Sequence, residues 1–150
     1  MNDDPRMLTA LVIDDNPVIR SILRIKLEGR GWSVAEATDA YRGFREFKAV
    51  KPRLITLDLL MPINNGFGAV ELAKRILGEA PDTILVVISA FASEKEVNAF
   101  FQNRQIPVFS KSNVDNPCSD RLLAYLDTVL ESDTRFLTRV LENASEGCDD

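Results

Sequence analysis

The chain alternates short apolar runs with amphipathic stretches, and each change of period falls at a polar or glycine-containing break. Residues 8–13 form a compact apolar run that stops abruptly at Asp14, Asp15, Asn16 and Pro17. This predicts a buried strand followed by an acidic turn. Asn16 can cap a helix and Pro17 suits its first turn. Val18, Ile22 and Ile25, with Ile19 and Leu23, then recur at helical spacing until Gly29 and Gly31 close the element. The alternation repeats, with strand over 32–37, helix over 39–50, strand over 54–59 and helix over 66–77. Residues 83–89 hold Ile84, Leu85, Val86, Val87 and Ile88 in succession, which suits a strand covered on both faces. A helix over 93–103 and a strand over 108–110 follow. A last helix is expected from about Ser119, with Leu122, Leu123, Leu126, Val129 and Leu130 on its inner side.

Five strands alternating with five helices through short loops predict an α/β fold, a parallel sheet doubly wound with helices on both faces, because right-handed crossovers return each helix onto the sheet. Ligands in such sheets bind at the carboxyl ends of strands. The parsing gives a tail over 1–7, a domain over 8–130 and a helical extension with an acidic tail over 131–150. In that extension Leu123, Leu126, Leu130, Leu137 and Val140 keep a helical rhythm interrupted by Asp133. A helix folded back on its own domain and a dimer seam or connector both satisfy it.

Composition narrows the function. With 18 Lys and Arg against 23 Asp and Glu, a formal charge of -5, the chain lacks the basic balance of a direct nucleic-acid binder. Histidine is absent, so a histidine base, metal ligand or phosphodonor would have to come from a partner. Cys118 and Cys148 lack paired or zinc-type spacing, and no apolar run approaches the length of a membrane span, so a reducing, cytoplasmic location without membrane partners is expected.

The polar residues at the predicted strand ends are Asp14 and Asp15, Asp58, Ser89, and Lys111. Each alone reads more simply as a cap or a solvated loop residue. Together they describe one site. Crowded carboxylates repel unless a cation intervenes, and an all-oxygen set suits Mg²⁺. Lys111 and the Ser89 hydroxyl would complement a phosphoryl group, and Asp58, already ionised near neutral pH, is the best-placed nucleophile.

These residues carry a specific resemblance. The blocks Ala10-Leu11-Val12-Ile13-Asp14-Asp15-Asn16, Leu57-Asp58-Leu59-Leu60-Met61-Pro62 with Gly66, Val87-Ile88-Ser89-Ala90, and Lys111 resemble the receiver domain of bacterial two-component response regulators over approximately 8–130. The resemblance implies a flavodoxin-like sheet with strand order 2-1-3-4-5. It also implies that Asp58 accepts a phosphoryl group from a histidine kinase or phosphotransfer protein, with Asp14, Asp15, Asp58 and the Leu60 carbonyl holding Mg²⁺. Ser89 and Lys111 would contact phosphoryl oxygens and switch binding of a downstream target or output domain through the face of the fourth helix, fifth strand and fifth helix, homodimerisation being one outcome. Such a domain catalyses its own phosphorylation and dephosphorylation, yet works as a switch rather than as a metabolic enzyme. Apolar Leu60 and Phe91 cannot orient an attacking water, which predicts slow autodephosphorylation.

Departures from the family fall on one face. Ser112 follows Lys111 where proline is usual, and Val108 stands where an aromatic is usual. Phe109 is next to it, but strand alternation points it to the opposite side. Arg104 and Gln105 replace a small pair, and the loop 112–119 is long. Phe100, Phe101 and Phe109 are expected in the core, or on a partner surface if exposed. The departures leave a second reading open, a degenerate receiver that binds or dimerises without phosphorylation. An aspartyl-phosphate phosphatase is disfavoured, because Asp14-Asp15-Asn16 lacks the Asp-x-Asp spacing of that chemistry.

Overall fold

A strand covered on both faces must be largely apolar, and three such runs pair at the centre of one parallel sheet, flanked by an edge strand on either side. The computed structural model describes residues 9–89, 100–101, 103–104, 106–110, 121–122 and 124–125. Its elements are β1 (Thr9–Ile13), α1 (Pro17–Glu28), β2 (Ser33–Ala37), α2 (Ala40–Val50), β3 (Leu54–Asp58), α3 (Ala69–Glu79), β4 (Ile84–Ser89) and β5 (Val108–Ser110). Residues 100, 101 and 103, and 121, 122, 124 and 125, are helical. The strands run parallel in the expected order β2-β1-β3-β4-β5. From β1 the chain winds first to β2 and then back past β1 to β3, so a crevice opens at the carboxyl ends of β1 and β3.

Alternation along the strands divides the core into two layers. Ala10, Val12, Leu54, Val86 and Ile88 pack on Ile19, Leu23 and Leu27 of α1, with Trp32 and Leu122. On the other face Leu11, Ile13, Ile55, Leu57, Leu85 and Val87 pack on Phe47 of α2, on Leu72, Ala73 and Ile76 of α3, and on Phe101. Where α2 crosses β1 the approach is close: a Cβ at Gly43 would lie 2.8 Å from Ile13 Cδ1. Phe44 and Phe67 meet edge to face at 6.3 Å between ring centroids, tying α2 to the segment before α3.

The structure corrects the sequence reading at several boundaries. The helix expected from Gly66 begins at Ala69. Gly66 takes φ +76° in a turn closed by hydrogen bonds between Asn64 and Phe67, a conformation that favours glycine. The Gly68 N–H instead donates to Glu71 Oε1 at 3.0 Å, one half of a capping box. Asp39 lies outside α2 as its cap, its carboxylate accepting from the Arg42 N–H at 2.8 Å. On α1 the Ile19, Leu23 and Leu27 stripe is buried against the sheet and Ile22 packs at its edge, while Val18 and Ile25 are 62% and 70% exposed, because one helix cannot turn both apolar stripes fully inward.

Phe101 is fully buried, and Phe100 and Phe109 are partly so. As alternation requires, Phe109 and Val108 serve opposite layers, Phe109 meeting Tyr125 edge to face at 5.9 Å. Among the described residues no helix is long and apolar enough to cross a membrane. The expectations for Leu8, Ala90, Phe91, Ser93, Gln105, Lys111 to Ser119, Leu123, and everything from Leu126 through the 131–150 extension lie outside the described residues.

Candidate functional site

β1 ends because two aspartates follow Ile13. The Asp14 N–H still donates to the Ala37 carbonyl at 3.1 Å, so Asp14 prolongs the ladder by one residue and stays buried. Its Oδ1 accepts from the Asn16 N–H at 2.9 Å, and Asn16 Oδ1 accepts from the Val18 N–H at 2.8 Å. The side chains of the turn thus build the turn itself and cap α1. Asp15 is exposed at the rim.

Asp58 is the last residue of β3 and is buried. Its Oδ1 accepts from the Leu60 N–H at 3.1 Å, a turn that carries the chain away from the sheet. Leu60 itself is 42% exposed. Because Asp58 aligns with Ile88 in the β3 and β4 register, buried Ser89 stands one residue further along the neighbouring strand. Ser89 aligns in turn with Ser110, the residue before Lys111. Lys111 lies outside the described residues.

Carboxylate oxygens of Asp14, Asp15 and Asp58 lie within 4.8 Å of one another. Unit charges at that separation repel by roughly 3–4 kcal/mol at an effective dielectric of about 20. A hard divalent cation relieves that repulsion, and three carboxylate donors opening to solvent at Asp15 and Leu60 leave room for the waters that Mg²⁺ retains. The donor set fits Mg²⁺, with Asp14, Asp15 and Asp58 as the side chains able to hold it.

One charged group beside the site was not singled out from the sequence. Arg20 Nη1 donates to the Asp14 carbonyl at 2.8 Å, while its Nε bonds Glu36 Oε1 of β2 at 2.9 Å. Glu36 Oε2 also accepts from Arg24 Nε at 2.6 Å, and Arg24 Nη1 reaches Glu28 at 2.9 Å. Partial burial pushes the Glu36 carboxyl up, but hydrogen bonds and charge from Arg24 and Arg20 outweigh it and hold the group below its ordinary value. The available signal was a carboxylate in a strand otherwise of small and apolar residues.

Residues 10–117 match the family model described as the response regulator receiver domain. The chain is 34% identical over 93 residues to protein-glutamate methylesterase/protein-glutamine glutaminase 3 of Hahella chejuensis, a match covering 61% of this chain and 26% of that protein. The chain therefore corresponds to about a quarter of that relative's length. It is 32% identical over 88 residues to the chemotaxis protein CheY of Thermotoga maritima, covering 58% of this chain and 71% of that one. Response regulator protein TrrA of Thermotoga maritima, solved in complex with Mg²⁺ and BeF, has the same fold: TM-score 0.66 at 23% identity over 81% of this chain and 98% of that chain.

Proposed function

The chain belongs to the response regulator receiver domain family, and from that premise we propose that it accepts a phosphoryl group on Asp58 from a histidine kinase or phosphotransfer protein. The observation that carries this reading is the clustering of Asp14, Asp15 and Asp58, with Asp58 buried at the tip of the central strand.

An Asp58 carboxylate oxygen attacks the phosphorus of the donor phosphohistidine. The new P–O bond forms as the P–N bond breaks, and the donor's imidazole leaves. The carboxylate needs no base, since it is ionised near neutral pH. Asp14, Asp15 and Asp58, with the Leu60 carbonyl, are the groups to hold Mg²⁺. When bound, that ion neutralises negative charge on the transferring group. Ser89 donates its hydroxyl to a phosphoryl oxygen and Lys111 pairs with another, so the phosphorylated state favours both side chains turned inward. That population shift alters the surface around β5, where a downstream target, an output domain or a second copy would bind. Val108, partly buried in the layer of α2 and α3, stands in the position from which an aromatic would couple to Ser89.

Acetyl phosphate with Mg²⁺ tests the reading by intact mass. One phosphoryl adduct is expected on the parent chain, and none after chelation of the metal or in Asp58→Asn. An unmodified parent chain would favour the phosphorylation-independent module, a reading motivated by Val108 and Ser112.

A further inference from the structure

We infer that Arg20 is a positioning residue for the acidic site, holding the peptide between Asp14 and Asp15 through the Asp14 carbonyl while Glu36 anchors its guanidinium and offsets its charge. The inference rests on the proposed Mg²⁺ role of Asp14 and Asp15.

The Asp14 carbonyl and the Asp15 N–H are two ends of one planar peptide unit, so a group that fixes the oxygen fixes the plane. Rotation of that plane would swing Asp15, the exposed carboxylate of the cluster, relative to buried Asp14. Arg20 meets this turn twice. Its backbone N–H donates to the Asn16 carbonyl at 3.1 Å, and its Nη1 donates to the Asp14 carbonyl at 2.8 Å.

A guanidinium beside three carboxylates would be expected to bind a carboxylate, which would compete with a metal. Its described carboxylate partner is Glu36 of β2 instead, at 2.9 Å. Sheet register makes this possible: Glu36 aligns with Val12, so both point toward α1, where Arg20 and Arg24 reach the same carboxylate from successive turns. Arg20 is only 16% exposed and its planar fork serves carbonyl and carboxylate together, which a lysine ammonium on a flexible stem does less well.

Removing Arg20 alone would have two opposed effects. The peptide would loosen, but the exposed Glu36 charge would add to the field that attracts cations. Arg20→Met with Glu36→Gln removes one charge of each sign, leaving net charge unchanged. Titration of the full chain with MgCl₂ by calorimetry, alongside thermal unfolding, is the test. The parent should bind Mg²⁺, and the double variant about tenfold more weakly, the lower end of what losing an orienting partner typically costs a metal site. Arg24→Met, which cuts the network without touching the turn, should stay within about twofold of the parent, the tenfold loss of the double variant being the scale of a positioning effect. If the double variant is unfolded, Arg20→Lys replaces it, with weaker binding again expected at unchanged charge.

Equal affinity in parent and double variant would overturn the positioning role while leaving the metal site intact. Equal loss in Arg24→Met would overturn it too, since the effect would then follow the network's stability or charge. A parent chain that takes up no Mg²⁺ would remove the proposed metal site and this inference together.

Discussion

Ile13 and Leu57 are partners across the parallel β1 and β3 ladder, and each is followed at once by a buried aspartate. Matched register therefore brings Asp14 and Asp58 together at the strand tips, before any loop contributes. Two apolar strands supply the rigidity, and Asp15 adds a third charge from the turn. The site is thus built on the buried tips of two adjacent strands, with Asp15 and Leu60 in solvent at its rim.

The first consequence concerns stability. Asp14→Asn keeps a side-chain oxygen for the Asn16 N–H but removes one of three neighbouring charges. In the absence of metal it should raise the unfolding free energy by about 1–3 kcal/mol, the Coulomb repulsion discounted for the exposure of Asp15. The parent should gain stability as MgCl₂ is added, and the variant much less. Urea unfolding with and without MgCl₂ measures both; a variant no more stable than the parent in chelator contradicts the crowding of charge.

Thr56 sits two residues before Asp58 with Val12 and Val86 as its strand partners. Its hydroxyl is buried and has no hydrogen-bond partner among the described residues. Thr56→Val replaces that hydroxyl by a methyl of similar shape, so it should stabilise the fold by about 0.5–1 kcal/mol. A loss of stability in urea unfolding would show that the hydroxyl is satisfied in solution.

Glu36 makes the stability of the fold depend on pH. Partial burial raises its carboxyl and the arginines outweigh that, so its folded value lies below the ordinary 4.5. A depressed carboxylate contributes stability above its unfolded value and loses it as pH falls through the folded one. The parent should therefore exceed Glu36→Gln by a few tenths to about 1 kcal/mol near neutrality, a modest figure because the group is partly exposed. The gap should close as pH drops below 4.5. A gap that persists or widens in acid contradicts the assignment.

Leu60 stands exposed at the mouth of the site, its backbone tied to Asp58. An alkyl side chain there cannot orient water toward a phosphoryl group on Asp58. Leu60→Asn supplies a donor and an acceptor at that point and should shorten the acyl-phosphate lifetime severalfold. Following dephosphorylation after removal of acetyl phosphate checks this, and an unchanged lifetime counts against a water-excluding role for Leu60.

Much of this was legible in the sequence, and the exceptions have physical causes. β4 is readable because a strand buried on both faces is a nearly continuous apolar run, and β3 because only Thr56 interrupts its apolar residues before Asp58. The caps Asn16 and Asp39 were readable in part because their chemistry is local; Asn16 was assigned, while Asp39 was placed one residue inside its helix. The α3 start is not legible, because Gly66 reads as the opening of a helix but makes a turn at positive φ. Of the two stripes on α1, periodicity alone does not say which faces inward. The Arg20 and Glu36 pair joins residues on a helix and on an edge strand, so it becomes visible only once strand register places Glu36 beside Val12.

The most direct measurement is the site of the phosphoryl group itself. After reaction with acetyl phosphate and Mg²⁺, borohydride reduction converts an aspartyl phosphate to homoserine, which peptide mass spectrometry locates. Homoserine is expected at position 58, dependent on Mg²⁺. Modification of another carboxylate in the parent chain, or none when the metal is present, would contradict it.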